Sequence, residues 1–192
     1  MRKKIYIAAY HQSKFGKLLG LTITEIIQKA ALETVAQVGA DPAVVDVASV
    51  GAACNISLNA QGLVSGLLAM VPGLGGKSIE SVENACASGG QAILSVAHKL
   101  MVGDGEVGLA LGYEKMRDAE GKMDGKLIGQ VLGYFSHPDD RTGKTYIFPH
   151  LFAEVMATYI KHWGVSERDL AAIAVQEYAL SLIHISEPTR PY

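Results

Sequence analysis

The stretch that most constrains this chain runs from Lys77 to Arg117 and has Cys86 at its centre: KSIESVENACASGGQAILSVAHKLMVGDGEVGLALGYEKMR. It predicts a short strand over about Ser78–Val82, a turn, and a helix over about Cys86–Met101. A second turn at Gly103–Gly105 then leads to a strand over about Val107–Gly112. Cys86 therefore stands where strand becomes helix. The first amides of a helix have no partner inside it and favour nearby negative charge, a thiolate included. Cysteine is already a few per cent thiolate at neutral pH, so modest help makes it a working nucleophile.

The helix behind Cys86 is built largely from small residues: Ala85, Ala87, Ser88, Gly89, Gly90, Ala92, Ser95 and Ala97. Two adjacent glycines cost roughly 1 kcal/mol each against alanine. Such a cost is compensated when other backbone approaches closely, so this is expected to be a central helix packed on several sides. Its larger residues Ile93, Val96 and Leu100 keep a three-to-four spacing. A strand feeding such a helix through a cysteine turn has the logic of a nucleophile elbow, with thiol for hydroxyl. Position alone leaves two readings of Cys86 open, a nucleophile and a buried thiol acting as a small apolar residue. Cys54, in SVGAACNIS, follows a strand with no helix-forming run directly after it and is read as structural.

Several function classes are disfavoured by composition. The 17 basic and 19 acidic side chains leave a net charge of −2, which gives no basic field for nucleic acid. Two distant cysteines do not make a disulfide framework and point to a reducing compartment, with the cytoplasm as the expected location. No run of 18 apolar residues suggests a membrane span. The N-terminal MRKKIYIAAY reads as an opening strand over Ile5–Ala9, not as a secretory signal.

Taken in order, His11 lies in a loop and is read as bracing it. Thr22 and Glu25 form a capping box, followed by a helix whose inner face is Ile23, Ile26, Ile27, Ala30, Ala31, Thr34, Val35 and Val38, ending at Gly39. Asp41-Pro42 starts a single helical turn. Val45–Val50 is a strand, Asn55–Gln61 a loop and Gln61–Met70 a helix. The VPGLGGK turn is not a phosphate loop, because Val71 stands where the first glycine of that pattern is required. His98 is twelve residues along the helix from Cys86, about 18 Å, too far to activate it. Glu83 and Asn84 shape the cysteine turn, and Glu114 is read as a brace.

From Asp118 to Thr145 the chain is rich in glycine and charge with poor periodicity, an excursion out of the core. His137, Asp139 and Asp140 read as a solvated loop, not a metal cluster. Tyr134, Phe135, Tyr146 and Phe148 are read as local packing, with the wall of an acyl channel as the alternative. Leu151–His162 is a helix with an apolar face through Val155 and Tyr159. His150 precedes it. Ser166 and Asp169 open another helical turn, and Leu170–Val175 continues as helix or strand.

The run NACASGGQAI resembles the nucleophile segment of thiolases, GYEKM resembles the Gly-x-Glu-x-Met segment of that family, and LFAEVMATYIKHWGVSERDLAAIAV resembles the loop-domain segment of its sterol-carrier type. The resemblance covers about Ile5–Tyr178 and favours the nucleophile reading of Cys86. It implies an α/β fold, half of an αβαβα layered arrangement: a mixed sheet with covering helices over residues 1–117 and an inserted loop lobe over 118–180. It implies acyl transfer through a cysteine thioester, by Claisen condensation or by thiolysis of a 3-oxoacyl-CoA. Coenzyme A and acyl-CoA are then substrates, with no tightly bound cofactor and no metal. It also implies a homodimer through the strand at Ser78–Glu83. The activating histidine and the second cysteine of thiolases come from a C-terminal half whose Gly-His-Pro and Cys-x-Gly segments have no match here. This chain is therefore expected to be an inactive N-terminal fragment. A ketoacyl-synthase-like acyltransferase and a non-catalytic scaffold subunit are the alternatives. Residues 181–192, SLIHISEPTRPY, resemble translated adapter sequence and are expected to be foreign, so His184 is given no chemical role.

Overall fold

The computed structural model describes residues 3–14, 16–117 and 120–184. The chain divides into two compact units, Met1–Ser13 with Leu19–Met123, and Lys14–Leu18 with Asp124–Tyr192.

The first unit is organised around β1 (Val47–Gly51), whose residues are all buried. It is flanked by β2 (Ser78–Val82) and β3 (Gly108–Gly112) in the order β2-β1-β3, and both ladders are parallel. A parallel strand buried on both faces needs helices above and below it. On one face, Ala48 and Val50 of β1 and Leu109 and Leu111 of β3 join a core with α1 (Ile23–Ala36) and α3 (Val64–Ala69). On the other, Val47 meets Val96 and Leu100 of α4 (Ser88–Val102).

Local chemistry explains these elements. The α1 capping box forms in full: the Thr22 hydroxyl accepts from the Glu25 amide, and the Glu25 carboxylate accepts from the Thr22 amide at 2.7 Å. Its buried residues Ile27, Ala31 and Val35 recur every four positions. Asp41 caps the 3-10 turn Pro42–Val44. At the end of α4, Gly103 takes the left-handed conformation that closes a helix cheaply.

Glycines set how close α4 lies to the sheet. A Cβ on Gly51 would fall 2.2 Å from the Ser88 carbonyl oxygen, and one on Gly108 would fall 2.3 Å from Val96 Cγ1. One on Gly112 would lie 3.3 Å from the Gly89 Cα. The outer face of α4 is different: Ile93, Leu94, Met101 and Val102 are exposed, and nothing lies within 4 Å of a Cβ built on Gly90. Among the described residues, then, α4 packs on its sheet side and not on several sides.

Other expectations are also corrected. Ile5–Ala9 forms no ladder; Tyr6 and Ile7 are exposed, and the segment is tied to the β3 approach by Lys3, whose ammonium donates to Gly105 O and Glu106 Oε1. A strand needs a partner edge, and the ladders here are confined to β1 with its two neighbours. Without that strand the sheet is parallel rather than mixed among the described residues. Asn55–Gln61 is not all loop, since α2 (Asn55–Asn59) forms when Leu58 N–H reaches Cys54 O, and it stops where Ala60 turns left-handed. That delays the next helix to Val64.

In the second unit, α5 (Gly125–Gly133) forms inside the stretch that lacked periodicity. Asp124 caps it, and glycines four apart make one smooth side. A Cβ on Gly129 would meet Tyr146 Cδ1 at 2.6 Å, and one on Gly133 would meet Ile147 Cγ2 at 2.8 Å. The glycines that weaken the helical signal thus permit the packing against 145–147. α6 (Ile147–Trp163) starts four residues earlier than Leu151, and α7 (Glu167–His184) settles Leu170–Val175 as helix. The Val155 and Tyr159 side of α6 is exposed. His137 caps the 3-10 turn Pro138–Arg141 and lies exposed beside Asp139. Within the 181–192 tail, residues 185–192 lie outside those described.

Two predictions follow from the α4 side of the sheet. Gly51→Ala forces apart two backbones and should cost about 1–3 kcal/mol, whereas Gly90→Ala should be neutral or stabilising by up to about 1 kcal/mol; urea unfolding of each variant checks the contrast. Glu80 of β2 pairs with Lys99 of α4 at 3.1 Å and accepts from the Ser95 hydroxyl. Burial acts to raise its carboxyl, but the bonds from Ser95 and Lys99 outweigh it and hold the group below its ordinary value. Its contribution is then complete above the unfolded glutamate value of about 4.3 and is lost as pH falls through the lower folded value. Glu80→Gln should cost about 1 kcal/mol at pH 7, and its difference from the unaltered chain should shrink as the pH is brought below 4.

Candidate active site

Cys86 lies in a 3-10 turn, Ala85–Ala87, between the end of β2 and the start of α4, and its side chain is exposed. It precedes the α-helix by two residues instead of opening it. The turn is held by its own polar groups. The Glu83 carboxylate accepts from the Ala85 amide, and the Asn84 amide donates to the Ser88 hydroxyl at 2.9 Å. That hydroxyl donates onward to Ala85 O at 2.7 Å, and the Ala87 amide donates to Asn84 O. These bonds hold Ala85 at φ +45°, a left-handed conformation that costs a non-glycine residue about 1–2 kcal/mol. The turn has the strained strand-to-helix form of a nucleophile elbow and presents a thiol outward.

Position relative to the sheet follows from Gly51. Because the Ser88 carbonyl rests on Gly51, the cysteine turn folds back over the C-terminal end of β1. Cys54 follows that same end and is buried. Its amide donates to Glu114 Oε1 at 3.2 Å, and the Ala53 amide donates to Glu114 Oε2 at 2.9 Å. Glu114, just past β3, therefore ties down the loop after β1, as its reading as a brace anticipated. Burial, with the charges of Glu114, Cys86 and Glu83, pushes the Cys54 thiol up to about 11. Cys86, Cys54, Glu83 and Glu114 thus all follow the carboxyl ends of the three parallel strands, the end at which open α/β sheets place ligands.

Among the described residues, the histidines are not bonded to this cluster. Among the described residues, no hydrogen bond or ion pair joins Cys86 to any of them. His98 is exposed on α4, His11 pairs with Glu33 at 2.7 Å, and His150 pairs with Glu154 at 2.8 Å. Neither does any group of three His, Cys, Asp or Glu residues among those described offer a metal site. Tyr134 carries Arg141 over its ring, and Phe148 packs on Phe152, both local contacts of the second unit. Two contributors were not picked out in the sequence. Ser88 bonds both sides of the cysteine turn, and only its spacing of four from Asn84 hinted at it. Gly51 ends a strand, where glycine usually reads as a plain terminus.

The turn can present a thiolate to an electrophilic carbonyl from a backbone held before the substrate arrives. A family model described as "Thiolase, N-terminal domain" matches residues 5–184. The chain is also similar to two proteins named acetyl-CoA acetyltransferase. One, from Methanothermobacter thermautotrophicus, is 26% identical over 173 residues, covering 90% of this chain and 44% of the relative. The other, from Methanocaldococcus jannaschii, is 26% identical over 176 residues, covering 90% of this chain and 43% of the relative. The chain thus spans less than half the length of both.

The two thiols should differ sharply in solution. With the Cys54 thiol near 11 against an ordinary 9.0, its thiolate is about a hundredfold scarcer than that of an ordinary cysteine, and it is buried as well. Limited iodoacetamide on the folded chain should label the tryptic peptide Ser78–Lys99 at least about 100-fold faster than Ala30–Lys77. Equal labelling would remove the distinction between an exposed turn thiol and a buried one.

Proposed function

Because this chain belongs to the thiolase family, whose N-terminal domain it matches, we propose that Cys86 is the nucleophile of a coenzyme A-dependent acyltransferase. The observation that carries this is an exposed cysteine on an internally braced strand-to-helix turn, within a segment that resembles the family's nucleophile segment. The names of the two relatives support an acyl-CoA substrate. In the whole protein the Cys86 thiolate attacks the thioester carbonyl. The bond to coenzyme A sulfur then breaks, and coenzyme A leaves as its thiol once protonated. A base next takes an α-proton from a second acyl-CoA, whose α-carbon attacks the acyl carbonyl while the bond to Cys86 sulfur breaks and frees the thiolate. In the reverse sense, Cys86 attacks the 3-oxo carbonyl of a 3-oxoacyl-CoA, the shortened acyl-CoA leaves, and coenzyme A takes the acyl group from Cys86. The Cys86 amide supplies one oxyanion donor.

The base that takes the Cys86 proton is assigned to residues beyond this chain, as the thiolase resemblance implies. By itself this chain is therefore read as inactive. The exposed outer face of α4 is assigned to packing against a second half, as the thiolase resemblance implies. The edge of β2 supports dimerisation through Ser78–Glu83, because among the described residues β2 is bonded on one side only, to β1. No helix among the described residues is long and apolar enough to cross a membrane. An unpaired thiol nucleophile fits a reducing compartment, and the cytoplasm is the proposed one.

The test uses the full-length protein. After incubation with acetyl-CoA, the peptide Ser78–Lys99 should gain one acetyl group at Cys86. Cys86→Ala should lower turnover by about 10³-fold or more while the protein stays folded. Acetylation at another residue, or turnover that survives the substitution, would refute the assignment.

A further inference from the structure

We propose that Cys54 and Cys86 form a disulfide-forming pair, in which Cys86 meets the oxidant and Cys54 resolves it. The first observation is topological. β1 and β2 are adjacent parallel strands whose last residues, Gly51 and Val82, are register partners, and the Ala52 amide carries the ladder one step further to Val82 O. Cys54 lies three residues beyond Gly51, and Cys86 four beyond Val82. The second is a close contact: the Ser88 carbonyl rests on Gly51, so the Cys86 turn returns over the end of the strand that leads to Cys54. The third is that Glu114 anchors the Cys54 backbone through its amide, which fixes the position of one partner. At the last register pair the two strands are neighbours at the usual spacing of about 4.8 Å, so the segments that carry the two cysteines leave the sheet side by side. The electrostatics agree, since the Cys86 charge is one of the influences that raise the buried Cys54 thiol.

The chemistry balances with a low-molecular-weight disulfide as oxidant. The Cys86 thiolate attacks one sulfur of the oxidant, forming a mixed disulfide and releasing one thiolate. The Cys54 thiolate then attacks the Cys86 sulfur and releases the second. The two cysteine protons pass to the two released thiolates. Two cysteines are oxidised, one small disulfide is reduced to two thiols, and no other reactant is needed. Exposure assigns the roles: Cys86 is reachable from solvent and Cys54 is not. The consequence for activity, a nucleophile closed off reversibly, rests on the catalytic reading of Cys86; the pairing itself does not.

The folded chain is incubated with oxidised glutathione, trapped with acid, and digested with trypsin without reductant. The two cysteines fall on separate peptides, Ala30–Lys77 and Ser78–Lys99. The expected product is those two peptides joined, lighter than their sum by two hydrogens, with the thiols recovered by dithiothreitol. Cys54→Ala should stop at glutathione on Cys86, and Cys86→Ser should leave Cys54 unmodified. Closure of the isolated mixed disulfide should quicken by about tenfold per pH unit from pH 7 to 9, because Cys54 must first lose its proton. A stable mixed disulfide on Cys86 beside a free Cys54 overturns the pairing, and so does a Cys86–Cys86 link between two chains. In the full-length protein the two readings separate. Acetylation of Cys86 without closure keeps the catalytic assignment and refutes the pair; closure without acetylation does the reverse.

Discussion

A backbone pressed against a backbone underlies this structure: the Ser88 carbonyl on the α-carbon of Gly51. β1 is buried on both faces, so its lower side must be covered completely. A helix held off by a methyl group at residue 51 would leave a gap beneath Val47 and Ser49, and close-packed interiors do not tolerate such gaps cheaply. Glycine at 51 and at 112, facing Gly89, removes that obstacle. The same contact decides the place of Cys86. The residues just before Ser88 have little choice but to lie over the carboxyl end of the sheet. Packing and chemistry are thus set by one close approach.

Much of this was legible in the residues. The strand, cysteine turn and small-residue helix around Cys86 read correctly in kind because they are local. The α1 capping box and its four-residue repeat of buried positions read correctly because a cap and an amphipathic face depend on a few neighbours. Failures occurred where distant residues decide. Ile5–Ala9 has strand composition, but a strand exists only with a partner. The helix α5 was hidden because Gly125, Gly129 and Gly133 lower helical propensity, and their use appears only once Tyr146 and Ile147 are seen against them. The start of α4 was misplaced by two residues because Ala85 adopts a left-handed conformation that no alanine announces.

The surroundings of Cys86 are acidic and their amides are partly occupied. Glu83 takes the Ala85 amide, and Glu114 takes those of Ala53 and Cys54. These carboxylates stabilise loops, and after burial, the larger cause, their charge adds to the upward push on the Cys54 thiol. What the turn supplies is position. A thiol held in the right place by strain and internal bonds is ready for a base to act on it.

The two central glycines of α4 separate the functions further. Gly89 faces Gly112 and has a use within the first unit, whereas Gly90 faces outward and meets nothing within 4 Å. Its helix cost has no return in the contacts of this chain. Along the same outward side lie Ile93, Leu94, Met101 and Val102, exposed and apolar. A side that is both apolar and stripped of its Cβ near the helix start suits another backbone approaching closely, not water. The two relatives extend well beyond the matched region. A helix with one face closed on the sheet and the other apolar and open has the make-up of a buried element, and Cys86 stands just before its first turn.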